Sequence, residues 1–225
     1  MMEHPSPSFG ARRGDAQPDM IVLHYTAMQT AEAALQRLCD AQAEVSAHYL
    51  ICERGRVWRL VDEAARAWHA GAGQWGDVTD VNSRSIGIEL ANPGTHPFPE
   101  PQMRALEELM QAIMQRWSIT PERVIAHSDM APTRKSDPGP RFDWRRLARQ
   151  GLSVWPQAGA PADDFLGAAR QFGYALPPEG DEATLLGAFR QRFRPWASGA
   201  LDDTDRALIA DLAARFPVDR APHDA

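Results

Sequence analysis

Two histidines and one aspartate have side chains that could together hold a metal ion. His24 follows the apolar run "MIVL", His127 follows the apolar run "VIA", and Asp137 lies shortly after His127 in a proline-rich loop. Two imidazoles and one carboxylate suit a zinc ion that keeps a fourth position open for water. Such an ion lowers the pKa of its bound water to about 7, which makes hydroxide available at neutral pH. The three residue types therefore indicate hydrolase chemistry.

A histidine after an apolar strand is also common as a hydrogen-bonded core residue, and this alternative stays open for His24. The order of residues along the chain does not prove that His24, His127 and Asp137 converge. Of the rival histidines, only His48 and His69 fall in segments with a clear pattern. The rival ligands are His4, His48, His69, His96 and His223.

Two charged residues have the chemistry to act beside such a metal. Glu89 lies in the apolar segment "SIGIEL", where an unpaired carboxylate is costly to bury. It is either paired structurally or kept for function, because an apolar setting raises its pKa and suits it to move a proton from water to a leaving amine. Lys135 lies two residues before Asp137. In an extended segment it points to the same side and could stabilise an oxyanion; the alternative is a solvated loop charge.

The segments that must position these residues alternate between strand and helix patterns, which predicts an α/β protein. Strands are predicted at 20–25, 85–90 and 124–126, and a hairpin from "HYLIC" and "RVWRLV". Helices are predicted at 31–41, at 101–117 and from Trp144 to near Gly151. The methionine-rich stripe of the second helix is interpreted as core-facing rather than as a cofactor site.

A linker and a second, smaller domain are predicted after residue 152. Residues 153–162 are rich in proline, glycine and alanine, and residues 163–225 contain three amphipathic patterns at 165–172, 182–193 and 204–216. Three short helices bury little apolar area alone, so we expect them to dock on the domain formed by residues 1–152.

Composition excludes several other classes of protein. The net charge is −6 and lysines and arginines are not clustered, which argues against a nucleic-acid partner. No apolar run is long enough to span a bilayer. No apolar stretch follows Arg12 and Arg13, which predicts a cytoplasmic protein, or a periplasmic or outer-membrane one if a leader has been removed. Cys39 and Cys52 are interpreted as small buried hydrophobic residues.

Five motifs together resemble the zinc-dependent N-acetylmuramoyl-L-alanine amidases of the type 2 amidase family, which shares its fold with the peptidoglycan recognition proteins. They are "IVLHYT", "SAHYLI", "AWHAG", "NSRSIGIELAN" and "HSDMAPTRKSDPGPRFDW", and the resemblance covers about residues 5–150. It implies a central mixed β-sheet flanked by helices. It also implies zinc bound by His24, His127 and Asp137, with Glu89 as general base and acid and Lys135 stabilising the transition-state charge.

The reaction that the resemblance implies is hydrolysis of the amide between N-acetylmuramic acid, or its 1,6-anhydro form, and L-alanine of the peptidoglycan stem peptide. The partners are then peptidoglycan fragments such as anhydro-muropeptides, or peptidoglycan itself. His69, Trp75, Asn82 and Arg84 lie in a glycine-rich segment that could form a groove wall. Trp75 could stack on a sugar, and Arg84 could receive a stem-peptide carboxylate.

The C-terminal helices resemble the three-helix peptidoglycan-binding domain that accompanies some of these amidases, but they lack its usual Asp-Gly-x-x-Gly turn. This domain either binds cell wall or braces the catalytic domain. Two other functions stay open for the whole chain. One is a peptidoglycan-binding protein without catalysis, and the other is a zinc hydrolase of a different amide.

Overall fold

A six-stranded mixed sheet forms the centre of the fold in this computed structural model, which describes residues 1–157 and 159–218. The strands are β1 Met2–Glu3, β2 Phe9–Gly10, β3 Met20–Tyr25, β4 Tyr49–Ile51, β5 Val57–Arg59, β6 Arg66–Ala67, β7 Ser85–Leu90 and β8 Val124–Ala126. The helices are α1 Ala31–Leu38, α2 Val81–Arg84, α3 Glu100–Trp117, α4 His127–Met130, α5 Trp144–Arg149, α6 Phe165–Phe172, α7 Glu182–Phe193 and α8 Asp203–Arg215.

The central sheet has the order β1-β5-β4-β7-β3-β8, and β2 pairs with β6 in a separate two-stranded sheet. Within the central sheet, β4 and β5 are antiparallel and form the predicted hairpin, whereas β4–β7, β7–β3 and β3–β8 are parallel pairs. The carboxyl ends of β7, β3 and β8 therefore meet at one edge of the sheet. This arrangement confirms the predicted mixed sheet flanked by helices.

The two faces of the sheet bury different partners because successive strand residues point to opposite sides. Ile21 and Leu23 of β3 pack in one core cluster with the buried side of α3. Met20 and Val22 pack in a second cluster with aromatic residues of the C-terminal helices. His24 continues the series of Met20 and Val22 and thus lies on the second face.

Helix α3 confirms the core-facing interpretation of the methionine-rich stripe. Met103, Leu106, Met110 and Ile113 are all buried and belong to the cluster under the sheet. The helix has a proline in its first turn, where a missing backbone N–H costs nothing, and it ends at Ser118 in a left-handed conformation.

The three C-terminal helices dock on the sheet as expected, and one buried cluster joins them to β3 and β8. Trp75 is at the centre of this contact, with ring centroids 5.4 Å from Phe172 and 5.2 Å from Tyr174. Residue 158 of the predicted linker and residues 219–225 of the predicted helical domain lie outside the described residues. Among the helices described, none is long and apolar enough to cross a bilayer.

The two cysteines are free thiols. Cys52 is buried, in agreement with its interpretation as a small core residue, whereas Cys39 at the end of α1 is only partly buried.

Candidate active site

The structure brings His24, His127 and Asp137 together at the carboxyl ends of β3 and β8. Asp137 Oδ2 lies 2.9 Å from His24 Nδ1 and 3.0 Å from His127 Nδ1, and the two Nδ1 atoms are 2.9 Å apart. All three side chains are buried. Neighbouring parallel strands place the histidines side by side, and the proline-rich loop returns the aspartate to them.

Hydrogen bonds on the far side of each imidazole fix which nitrogen carries the proton. The Ser85 hydroxyl donates to the Val81 carbonyl at 2.6 Å, so at 3.2 Å it accepts from His69 Nε2–H. His69 Nδ1 is then an acceptor, and at 3.0 Å it receives His24 Nε2–H.

His127 Nε2–H donates to the Ala70 carbonyl at 2.9 Å. Both ligand candidates therefore present an unprotonated Nδ1 to Asp137.

The lone pairs of the two Nδ1 atoms and of Asp137 Oδ2 repel each other at these short distances, and a cation between them would remove this repulsion. A tetrahedral zinc ion with bonds of about 2.0–2.1 Å to its ligands separates those ligands by about 3.3–3.4 Å. The observed triangle is a few tenths of an ångström smaller, so a slight opening of the side chains accommodates the ion. Burial lowers the pKa of His24 to about 4, which keeps its imidazole neutral, as a metal ligand must be. The donor set fits a metal, and among the described residues it is the one such group found.

Glu89 lies beside this group because β7 pairs with β3 and places it opposite His24. Its Oε2 atom is buried without a hydrogen-bond partner among the described residues. Burial, together with the negative charge of Asp137, raises the pKa of Glu89 to about 8, against the opposing charge of Lys135. Of the two sequence interpretations, a structurally paired carboxylate does not fit this environment.

A cavity of about 350 Å³ opens over the three ligand candidates and is also lined by Glu89, Lys135 and His69. Lys135 is half-buried, and its ammonium makes no hydrogen bond or ion pair within the described ranges. It is thus a free positive charge at the wall of the cavity. The sequence interpretation did not include three wall residues with long polar side chains, namely Tyr25, Arg37 and Arg134. Tyr25 and Arg134 could have been suspected, since they adjoin His24 and Lys135.

Of the four residues predicted to bind substrate, only His69 lines the cavity. Both of its ring nitrogens are engaged, one with His24 and one with Ser85, so it acts first as a support for a ligand. Asn82 accepts hydrogen bonds from the backbone N–H groups of His69 at 3.1 Å and Ala70 at 2.9 Å. It shapes the loop that carries His69 and does not face the cavity.

Trp75 and Arg84 do not line the cavity, in contrast to the groove-wall positions expected from the sequence. Trp75 is fully buried under the C-terminal helices, so its ring has no free face for a sugar. Arg84 precedes β7 and binds Asp19 through Nε at 3.0 Å. At about 3.3 Å per strand residue, it lies about 16 Å from Glu89, towards the opposite edge of the sheet. The glycine-rich segment showed no periodic pattern from which these positions could be read.

None of the other described histidines, apart from His69, lies at the ligand group. His48 is buried, its Nδ1 accepts from Gly87 N–H at 3.0 Å, and its Nε2 faces the Ala65 carbonyl at 3.2 Å. His96 Nδ1 lies 3.3 Å from the Asn92 side-chain amide. The side chain of His4 is exposed. His223 lies outside the described residues.

Comparison with known proteins agrees with this geometry. The profile of a family described as "N-acetylmuramoyl-L-alanine amidase" matches residues 14–140. The amidase AmiD of Escherichia coli K12 is 36% identical over 85% of this chain and 80% of its own length. The 1,6-anhydro-N-acetylmuramyl-L-alanine amidase AmpD of Haemophilus influenzae is 34% identical over 63% of this chain and 86% of its own length.

A solved structure of AmiD from E. coli, in complex with the substrate anhydro-N-acetylmuramic acid-L-Ala-D-gamma-Glu-L-Lys, has the same fold. It superposes with a TM-score of 0.81 at 33% sequence identity and covers 93% of this chain and 98% of that one. The family match includes β3, β7, β8 and every residue of the proposed ligand set. The chain belongs to the N-acetylmuramoyl-L-alanine amidase family.

Proposed function

We propose that this protein is a zinc amidase that cleaves the bond between N-acetylmuramic acid, or its 1,6-anhydro form, and L-alanine of the stem peptide. The observation that carries the proposal is the buried triangle of two unprotonated Nδ1 atoms and one carboxylate oxygen, 2.9–3.0 Å apart, beneath an open cavity. Its family membership and the bound substrate of the related AmiD structure point to the same bond.

His24, His127 and Asp137 would hold the ion, and His69 and the Ala70 carbonyl orient the two imidazoles. Bound zinc supplies Lewis acidity and makes a water molecule acidic enough to attack at neutral pH. The remaining steps belong to side chains of this chain. They are the movement of a proton and the stabilisation of negative charge on the amide oxygen.

Glu89 is the group that we assign to proton transfer. Its carboxylate, which lines the cavity, would take a proton from the attacking water and deliver it to the leaving amine of L-alanine. The pKa of about 8 applies to the site without a cation, and a divalent ion nearby favours the ionised carboxylate that a base requires.

Lys135 is the group that we assign to charge stabilisation. The Lys135 side chain lines the cavity over the three ligand candidates, and its ammonium would stabilise the negative charge that the amide oxygen gains in the tetrahedral transition state. His69 also stays a candidate for contact with substrate, because one edge of it is open to the cavity.

A non-catalytic binding protein is the second candidate function, because the same cavity could hold a muropeptide without cleaving it. A protein that only binds has no use for a buried carboxylate oxygen without a partner, since leaving it unpaired costs free energy. This cost favours the enzyme. Hydrolysis of a different amide is the third candidate.

We also propose a division into a catalytic domain at 1–152, a linker at 153–162 and a helical domain at 163–225. The family profile ends at residue 140, and the AmpD relative aligns over only part of this chain, which supports a boundary after α5. The two domains share one buried cluster, so the division concerns their origin and does not imply independent motion.

Mass spectrometry of reaction products tests the proposed function. The purified protein is given anhydro-muramyl-tripeptide and, separately, intact sacculi, each with chelator and after zinc is restored. Zinc-dependent release of free tripeptide supports the amidase and a role in muropeptide recycling, and cleavage of sacculi alone supports the amidase with a polymeric substrate. Binding without cleavage by the zinc-loaded protein would establish the non-catalytic alternative.

A further inference from the structure

Asp129 is a fully buried carboxylate two residues after the ligand candidate His127. Its Oδ2 accepts the backbone N–H of Ala126 at 2.8 Å, which closes the first turn of α4. Ala126 and Asp129 flank His127 in the chain. The geometry of this short turn therefore sets the direction in which the His127 imidazole leaves the backbone.

The remaining partners of Asp129 come from the C-terminal helices. Tyr174, which follows α6, donates its hydroxyl to Asp129 Oδ1 at 2.7 Å. Arg192, on α7, donates Nη1–H to Asp129 Oδ2 at 2.5 Å. All three side chains are almost completely buried. Burial, and then the charge of Asp129, raises the pKa of Tyr174 far above its usual value, so its hydroxyl stays a donor.

Arg192 also holds the strand that leads to His127. Its Nη2 donates to the Val124 carbonyl at 2.9 Å and to the Ser153 hydroxyl at 3.2 Å. Its guanidinium stacks over the Trp144 ring at 4.3 Å. One side chain of the C-terminal domain thus contacts both ends of the segment 124–129, at the centre of which lies His127.

The C-terminal domain supports the other side of His127 as well. The Ala70 carbonyl, which accepts His127 Nε2–H, begins the loop that carries Trp75. Trp75 forms a backbone bridge with Tyr174, and Gly76 N–H donates to the Gly173 carbonyl at 2.8 Å. A side chain at Gly173 would collide with the Trp75 ring, so this approach is tight.

We propose that Tyr174 and Arg192 of the C-terminal helices are positioning residues for the metal site, acting through Asp129 on the orientation of His127. The C-terminal domain is then part of the scaffold of the catalytic centre, whether or not it also binds cell wall. The proposal rests on the metal site of the proposed function.

Stability alone gives little reason to keep this network. A buried ion pair costs so much desolvation that apolar residues of the same shape often stabilise a fold equally well. Hydrogen bonds that orient a metal ligand indirectly have a different value, because their loss typically weakens metal binding or activity about 10- to 100-fold.

Tyr174→Phe tests the proposal, because it removes one hydroxyl and keeps the ring packing against Trp75. Tyr49→Phe is the matched control: Tyr49 is equally buried and donates to the carboxylate of Glu63 at 2.6 Å, away from the cavity. The measurements are zinc affinity by competition with a chromophoric chelator, the free energy of unfolding of the zinc-free protein, and kcat and KM after loading with zinc.

We expect both variants to lose similar stability, but only Tyr174→Phe to bind zinc about 10-fold more weakly and to show a lower kcat at unchanged KM. Equal zinc affinity in Tyr174→Phe and Tyr49→Phe would overturn the proposal. Failure of the unmodified protein to bind zinc would instead overturn the proposed function, so the two failures are distinguishable.

A second pair of variants covers the arginine. Arg192→Lys keeps the charge but cannot contact Asp129 and Val124 together. Its control is Arg190→Lys, because Arg190 binds Asp205 at 2.5 Å within the C-terminal helices and does not contact β8. We expect weaker zinc binding in Arg192→Lys alone. The same affinity in both lysine variants would contradict the positioning role.

Discussion

His24 and Glu89 are register partners in the adjacent parallel strands β3 and β7. Their side chains therefore point to the same face of the sheet, at its carboxyl end. Burial raises the pKa of Glu89, and the charge of Asp137, which reaches the same place from the proline-rich loop, raises it further. One strand pair thus places a metal ligand beside a proton carrier.

Replacing Glu89 by glutamine should separate metal binding from turnover. Glu89→Gln keeps the size of the side chain and leaves the three ligand candidates intact, so zinc affinity should stay the same. Turnover should fall by roughly 100- to 10,000-fold, the usual contribution of a general base and acid. Zinc content and kcat are measured on the same preparation, and retained turnover in a zinc-loaded variant would refute the assignment.

Trp75→Ala should lower the free energy of unfolding, because Trp75 is a core residue and not a substrate contact. The ring is fully buried between the sheet and the C-terminal helices, so its loss leaves a large cavity and should cost about 3–5 kcal/mol of unfolding free energy. Denaturant unfolding measures this effect. A variant of unchanged stability with a raised KM would restore the sugar-stacking role that the sequence suggested.

Arg84→Ala should leave KM for a muropeptide unchanged, because Arg84 lies towards the far edge of the sheet and binds Asp19. This ion pair is partly exposed to solvent, so its loss should change stability by less than about 1 kcal/mol. Steady-state kinetics with anhydro-muramyl-tripeptide measure KM. A marked rise in KM without a change in fold would show that Arg84 reaches the substrate after all.

His48 should make the zinc-free protein less stable in mild acid. Burial, and then the charge of Arg12, lowers the pKa of His48 from 6.5 to about 4. Between these pH values the unfolded chain binds a proton that the folded chain does not, so the free energy of unfolding falls as the pH is lowered from 6.5 to 4.

Urea unfolding of the zinc-free protein and of His48→Gln across this pH range isolates the contribution of His48. His24 and His69 are also buried with lowered pKa values, so both proteins should lose stability in acid. The free energy of unfolding should fall less steeply with decreasing pH in His48→Gln, because its unfolding takes up about one proton fewer. If the free energy of unfolding changed with pH in the same way in both proteins, His48 would have the same pKa in the folded and the unfolded chain.

Strands β3, β4, β5, β7 and β8 and most helix positions could be predicted, because apolar runs and period-3.6 patterns report burial directly, whereas the two-residue strands β1, β2 and β6 are too short to show a pattern. His24 and His127 were ligand candidates for a related reason, since each follows an apolar run, whereas Asp137 lies in a loop and was assigned through the motif that resembles the amidase family. Glu89 was conspicuous because it is a charge inside an apolar run. All of these signals are local in sequence.

The positions that were wrong depend on contacts between distant segments. Trp75 is buried by Phe172 and Tyr174, which come about a hundred residues later in the chain. No local pattern in the glycine-rich segment could predict this contact. The link between Arg192 and Asp129 joins residues that are 63 positions apart. His69 was predicted for the site, but its bond to His24 required coordinates.

Zinc titration of the unmodified protein and of Asp137→Ala, with cleavage of anhydro-muramyl-tripeptide measured on the same samples, tests the central claim most directly. We predict one zinc ion per unmodified chain with zinc-dependent cleavage, and loss of both zinc and cleavage in Asp137→Ala. Full zinc binding by Asp137→Ala, or undiminished cleavage by the unmodified protein after its zinc has been removed, would contradict the account.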